Sequence, residues 1–233
     1  MDPAATLLIT GANRGIGLAW TRHALAAGEQ VFATSRDPGC AALQRLKQQY
    51  PQQLELLTLD VTDEAARQEL PRLTRGLAID RLLLVAGVYG PDHQDFGGTD
   101  LAAGETLWQV NVLAPLRLAE ILLPQVEISR CRQIVALSSL MGSMTDNRSG
   151  GAYLYRASKA ALNAIMHSMA IDLAPRGVFA LALHPGWVQT DMGGPRAPVD
   201  VDSSVSGMRA VLERAEPAHR GMLVDYQGHI LPW

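Results

Sequence analysis

The chain has 233 residues, 48% of them hydrophobic and 18% charged, with a formal net charge of −3. That length suits one large α/β domain, expected to span residues 1–233, whose core needs no disulfide or metal, and the composition excludes a disordered chain. The charge balance offers no basic field for nucleic acid or an anionic membrane, and no apolar run approaches the roughly 18 residues of a membrane span. Cys40 and Cys131 make neither a disulfide framework nor a zinc site, and Met1 to Ala5 carry no basic leader, so a cytoplasmic protein without a structural metal is expected. In chain order, apolar runs predict strands at 6–10, 30–35, 54–59, 80–85, 133–138, 178–184 and 222–225. Helix-length segments lie between them, at 15–27, 41–50, 63–75, 101–127, 154–174 and 201–214. Strict alternation of the two predicts right-handed βαβ units and a doubly wound, Rossmann-type parallel sheet of about seven strands flanked by helices. Two glycine-rich segments, 87–100 and 186–200, follow strands at their carboxyl ends, where ligands bind in such sheets.

Directly after the first strand comes Thr10-Gly11-Ala12-Asn13-Arg14-Gly15-Ile16-Gly17. Gly11 permits a tight turn, Gly15 lets the backbone approach a pyrophosphate, and Gly17 lets the next helix pack close to the sheet. That helix presents its free N–H groups and positive dipole end to the phosphates. The spacing Gly-x-x-x-Gly-x-Gly resembles the cofactor motif of the short-chain dehydrogenases/reductases. The resemblance implies that Asn13, Arg14 and Ile16 complete the cofactor loop and that Asp60 and Val61 hold the adenine; the alternative for that pair is the cap region of the helix near Asp63. It also implies that Ala86 and Gly87 offer backbone to a ribose. Here the chain departs from the family, carrying Leu84-Val85-Ala86-Gly87 where Asn-Asn-Ala-Gly is usual, so two asparagine side chains are lost.

Tyr155 and Lys159 stand four apart on a predicted helix and share a face. A lysine cation beside the phenol, together with a positive nicotinamide ring, is expected to lower the tyrosine pKa from about 10 and make it a useful acid/base. The resemblance supplies the rest of a catalytic set. Ser139, in Ser138-Ser139-Leu140-Met141-Gly142, would hydrogen-bond the substrate carbonyl. Asn111 would sit at an irregularity in the long helix 101–127 and hold a water linked to Lys159, which would also bind the ribose hydroxyls. Pro185, Gly186, Val188 and Thr190, in the loop after the sixth strand, would fix the nicotinamide carboxamide. Nearly the whole chain shares the resemblance, which is strongest to the branch of C-factor-like and sniffer-like carbonyl reductases. It implies transfer of a hydride between a nicotinamide cofactor and a carbonyl or alcohol, and a homo-oligomer (dimer or tetramer) built through segments 101–127 and 154–174.

The substrate pocket is expected from Val88, Tyr89, Met141, Met144, Tyr153, Trp187 and Met192, an apolar set without a cation, which favours uncharged aldehydes, ketones or quinones. At the tip of the second strand stand Ser35 and Arg36. A guanidinium there, with Arg14 approaching from the glycine loop, predicts NADP(H) over NAD(H), unless a turn shifted by one residue brings Asp37 to the ribose instead. Two other readings compete: a dinucleotide-binding sensor with little turnover, and a sugar-nucleotide epimerase, for whose larger substrate domain the stretch after Lys159 is short. No Gly-x-Ser-x-Gly elbow suggests a serine hydrolase.

Overall fold

Among the described residues, eight strands lie in one sheet, in the order β3-β2-β1-β4-β5-β6-β7-β8. They are β1 (Thr6–Thr10), β2 (Gln30–Ser35), β3 (Leu54–Thr58), β4 (Arg81–Leu84), β5 (Gln133–Leu137), β6 (Phe179–His184), β7 (Leu223–Asp225) and β8 (Ile230–Leu231). The structure, a computed structural model, describes residues 4–233; the reading of Met1 to Ala5 as lacking a leader therefore lies largely outside the described residues. The first seven strands are parallel, and β8 turns back antiparallel to β7 through Leu223↔Leu231 and Val224↔Ile230. This eighth strand is an addition to the expected seven.

Alternate residues of the strands point to opposite faces, and both faces are apolar, which is why these runs read as buried parallel strands. Leu8, Phe32, Leu82 and Ile134 join one core. It is covered by α3 (Glu64–Leu73), α5 (Ala114–Glu127) and α6 (Tyr153–Leu173). Leu7, Ile9, Val31 and Leu83 join the other, covered by α1 (Gly15–Ala26), α2 (Ala41–Gln49) and α7 (Val201–Glu213).

Sheet order reverses between β1 and β4, so the loops after these strands part and leave a crevice at their carboxyl ends. The helix expected over 101–127 is three pieces: α4 (Leu101–Trp108), a π turn at Gln109–Leu113, and α5. The C-terminal residues reach back toward the same end of the sheet. The Trp233 carbonyl accepts from the Thr145 amide at 2.8 Å, and the Trp233 ring meets His167 edge-on at 5.8 Å.

Candidate active site

The crevice is a cleft of about 1130 Å³ lined by loops from every crossover of the sheet. Its floor begins at the glycine turn. Gly11 has φ +68°, and a Cβ there would come within 2.9 Å of the Ala86 backbone; a Cβ on Gly17 would stand 2.3 Å from the Gly11 carbonyl. These positions leave a shallow cradle at the N-terminus of α1 that only glycine permits. Asn13, Arg14, Gly15 and Ile16 line it, and Gly15 lies against Thr190 from the far side.

At the tip of β2, Ser35 and Arg36 line the cleft. Ser35 is 4% exposed, and its hydroxyl is buried without a partner, a polar atom that a bound ligand would satisfy. Asp37 turns away, its carboxylate accepting from the Gly39 amide at 3.0 Å. Arg14 does not join Arg36; its guanidinium meets Asp191 at 2.9 Å, tying the glycine loop to the loop after β6. Arg14 and Arg36 both line the cleft, Arg14 through the glycine loop with an exposed partner in Asp191 and Arg36 at the strand tip. Asp60 and Val61 line the same end. The Asp60 carboxylate accepts from the Thr62 amide at 2.9 Å and hydroxyl at 2.7 Å, and these bonds hold its pKa below the usual value. The cap of α3 is Asp63, which accepts from the Ala65 and Ala66 amides, so Asp60 is not needed there.

The β4 loop is held despite its missing asparagines. Thr10 Oγ1 accepts from the Val85 and Ala86 amides at 2.9 and 3.0 Å. From the other side Asn111, fully buried in the π turn, accepts from the Val88 amide at 2.9 Å and donates to the Val88 carbonyl at 2.8 Å. The π turn rotates Asn111 toward this loop, and its Nδ2 also donates to Ser158 Oγ at 3.1 Å.

Ser139, Tyr155 and Lys159 meet at the inner end of the cleft. Ser139 follows β5 and caps the short turn Leu140–Gly142, accepting from the Met141 amide. Ser138 faces away into the core, its hydroxyl 2.5 Å from Asn163 Oδ1. Tyr155 is 7% exposed, with the Tyr89 ring 4.7 Å away and Lys159 Nζ 5.7 Å from its own ring centre. Lys159 Nζ donates to the Leu137 carbonyl at 2.9 Å. Burial pushes the Tyr155 phenol up to about 12, against a hydrogen bond with Ser139 that lowers it. Burial also brings Lys159 down to about 8. The lowered tyrosine pKa expected from the sequence is therefore reversed in the polypeptide alone, because desolvation of the phenolate outweighs the Ser139 hydrogen bond.

Pro185, Gly186, Val188 and Thr190 form the opposite wall. The substrate end is lined by Val88, Tyr89, Met141, Trp187 and Met192, with Thr106 and Val110 from α4 and the π turn. Met144 and Tyr153 do not line it. Met144 is 76% exposed, and the Tyr153 ring faces Phe96 at 6.4 Å, because Tyr153 lies two residues from Tyr155, on another side of α6. Arg148 and Arg156 border the cleft, although the sequence reading placed no cation there. Arg156 is engaged by Ser149 Oγ and the Met141, Gly150 and Gly151 carbonyls, whereas Arg148 is exposed at the rim. His184 also lines the cleft, and its Nδ1 accepts from the Leu140 amide at 3.3 Å.

The family model described as short chain dehydrogenase matches residues 5–200. The chain belongs to the short-chain dehydrogenase family. Among family members it is similar to C-signal of Myxococcus xanthus, 44% identical over 155 residues, 66% of this chain and 93% of that protein. Its structure is similar to the carbonyl reductase Sniffer of D. melanogaster, with a TM-score of 0.92 and 30% identity over 99% of this chain and 100% of that one. The NADPH-bound carbonyl reductase from chicken fatty liver superposes with a TM-score of 0.89 and 33% identity, over 99% of each chain. Membership makes the chain an oxidoreductase.

Proposed function

We propose that this protein is an NADP(H)-dependent carbonyl reductase in which Tyr155 gives the proton to the carbonyl oxygen. The observation that carries this reading is the meeting of Ser139, Tyr155 and Lys159 at the inner end of a cleft whose outer end is a glycine cradle with Arg36 at its edge. NADP(H) fits the residues present: the cradle, the unpartnered Ser35 hydroxyl and the Arg36 guanidinium would take the adenosine half, and Thr190 and Gly186 the nicotinamide half. Carbonyl reductases of similar structure bind the same cofactor. The cofactor supplies the hydride when bound.

The remaining chemistry belongs to the chain. With its phenol pushed up to about 12, Tyr155 keeps its proton at neutral pH and can donate it to a carbonyl oxygen. Ser139 orients the carbonyl beside it. Lys159 holds a proton close behind Tyr155 and would bind the ribose. The apolar wall of Val88, Tyr89, Met141, Trp187 and Met192 favours an uncharged aldehyde, ketone or quinone. A single domain carries both half-sites. We place the protein in the cytoplasm as a homo-oligomer formed through α4, α5 and α6, which light scattering would test.

The test is NADPH oxidation across a panel of carbonyl compounds, in wild type and Tyr155→Phe. The variant is expected to lose the roughly 10²–10⁴-fold attributable to general acid catalysis while keeping its NADPH Kd. Near wild-type turnover would sink the mechanism. A preference for keto acids would overturn the uncharged substrate class and point to Arg148. A second reading, a dinucleotide-binding signalling protein with little turnover, draws on the likeness to C-signal. NADPH binding without carbonyl turnover in the wild type would favour it.

A further inference from the structure

The loop between β4 and α4 lines the cleft with its first residues, Val85 to Tyr89, and one side chain further along it is buried. Gln94 is 3% exposed, although five of the six residues around it, Asp92, His93, Asp95, Phe96 and Gly97 among them, are exposed. Its amide is used at both ends. Nε2 donates to the Tyr89 and Pro91 carbonyls, each at 2.9 Å, closing the loop on itself. Oε1 accepts from the Tyr155 amide at 2.8 Å, across 61 positions of sequence. The Gln94 carbonyl accepts from the Tyr153 amide at 3.1 Å, and Asp95 Oδ1 accepts from the Ala152 amide at 3.4 Å.

These bonds answer a local defect. The first amides of a helix need acceptors from outside the helix, and the usual source is a Ser, Thr, Asp or Asn side chain at the cap. In α6 the cap is Ala152, in a left-handed conformation at φ 47° and with no side chain to offer. α3, α4 and α7 are capped by their own Asp63, Asp100 and Asp200. α6 alone among these takes its cap from a distant loop, and the amide that Gln94 Oε1 receives is that of Tyr155. The same Gln94 amide holds the Tyr89 carbonyl, and the Tyr89 ring lies 4.7 Å from the Tyr155 ring.

We propose that Gln94 is a positioning residue, one amide that fixes the backbone of Tyr155 and the pocket wall at Tyr89 in register with each other. The assignment rests on the reading of Tyr155 as proton donor. Gln94 touches no reacting atom. It acts by holding the phenol at the depth where Ser139 and a substrate carbonyl share it, and by keeping Tyr89 over it to exclude water. A phenol displaced by a fraction of an ångström loses alignment, which is costly in proton transfer.

The experiment compares wild type, Gln94→Met and Gln94→Glu. Methionine keeps the length and removes every polar atom. Glutamate keeps an acceptor for the Tyr155 amide, suits a helix N-terminus, and loses the donors to Tyr89 and Pro91. Carbonyl reduction, NADPH binding by fluorescence titration, and amide hydrogen exchange of residues 152–158 are measured in each.

Gln94→Met is expected to lose about tenfold or more in kcat, with NADPH Kd within about twofold and faster exchange at 153–156. Gln94→Glu is expected to restore exchange protection while retaining a severalfold rise in KM, which separates the cap from the clamp on Tyr89. Wild-type kcat in Gln94→Met would overturn the assignment. So would NADPH affinity falling in step with kcat in both variants, the mark of a general loss of structure. If the wild type itself reduces no carbonyl, the proposed function fails, and unchanged exchange in Gln94→Met would then overturn the tether separately.

Discussion

Tyr155 and Lys159 carry opposite consequences of the same burial. The phenol is held protonated, pushed up to about 12, while the ammonium is brought down to about 8. The first group of the pair to lose a proton as pH rises is therefore the lysine. For kcat/KM with NADPH, which reports the free enzyme, the expected basic limb lies near pH 8 and belongs to Lys159. Replacing Lys159 with arginine, whose charge persists to far higher pH, should remove that limb from the accessible range at whatever activity remains. A limb unmoved in Lys159→Arg would assign it elsewhere. Arg36 poses a separate question at the cofactor end. Arg36 stands as a charge-assisted donor at the β2 tip, worth roughly 1.5–3 kcal/mol, or on the order of 10- to 100-fold. Wild type is expected to favour NADPH over NADH by that factor, and Arg36→Asp to abolish or reverse it. Equal kcat/KM values for the two cofactors in wild type would remove Arg36 from the site.

Among the elements, the π turn at Gln109–Leu113 does the most for the site, since it directs Asn111 at both polar groups of Val88. Asn111→Ala leaves an N–H and a C=O without partners in a partly enclosed place, at a cost of roughly 2 kcal/mol in stability. Chemical denaturation should register it as a lowered midpoint, and kcat should fall as the β4 loop loosens. An unchanged midpoint would mean that water replaces the amide without loss. The parallel strands were legible in the sequence because burial on both faces leaves a continuous apolar run, as in Leu7-Leu8-Ile9. β8 was not, because two residues show no period. Helix 101–127 reads as unbroken because a π turn adds one residue without interrupting the apolar stripe. Ser139, Tyr155, Lys159 and Arg36, singled out by motif spacing, all line the one cleft. Gln94 was not, because its partners at Tyr153 and Tyr155 lie in another element and no local pattern joins them. Met144 and Tyr153 were placed wrongly because proximity in sequence to Ser139 and Tyr155 does not fix the face on which a side chain emerges.

At the scale of the molecule, His184 joins the end of β6 to the turn that carries Ser139, and its state couples the site to the stability of the fold. Its Nδ1 accepts from the Leu140 amide, so that nitrogen must be free of a proton in the folded protein. Burial brings the imidazole down to about 4 from an ordinary 6.5, against the opposing pull of the Asp225 and Asp146 carboxylates. A folded-state pKa below the unfolded one means that the unfolded chain binds the proton first. The contribution of neutral His184 is therefore complete above pH 6.5 and is lost as pH falls toward 4. Between pH 7 and pH 5 this single group should remove up to about 2 kcal/mol from the unfolding free energy. His184→Asn has no titrating ring, so its unfolding free energy should fall less over the same interval, even if the variant starts from a lower value at pH 7. Urea denaturation of both proteins at the two pH values gives the comparison directly. Equal losses in wild type and variant would show that the imidazole does not resist protonation, and would leave the turn at Ser139 anchored by other contacts.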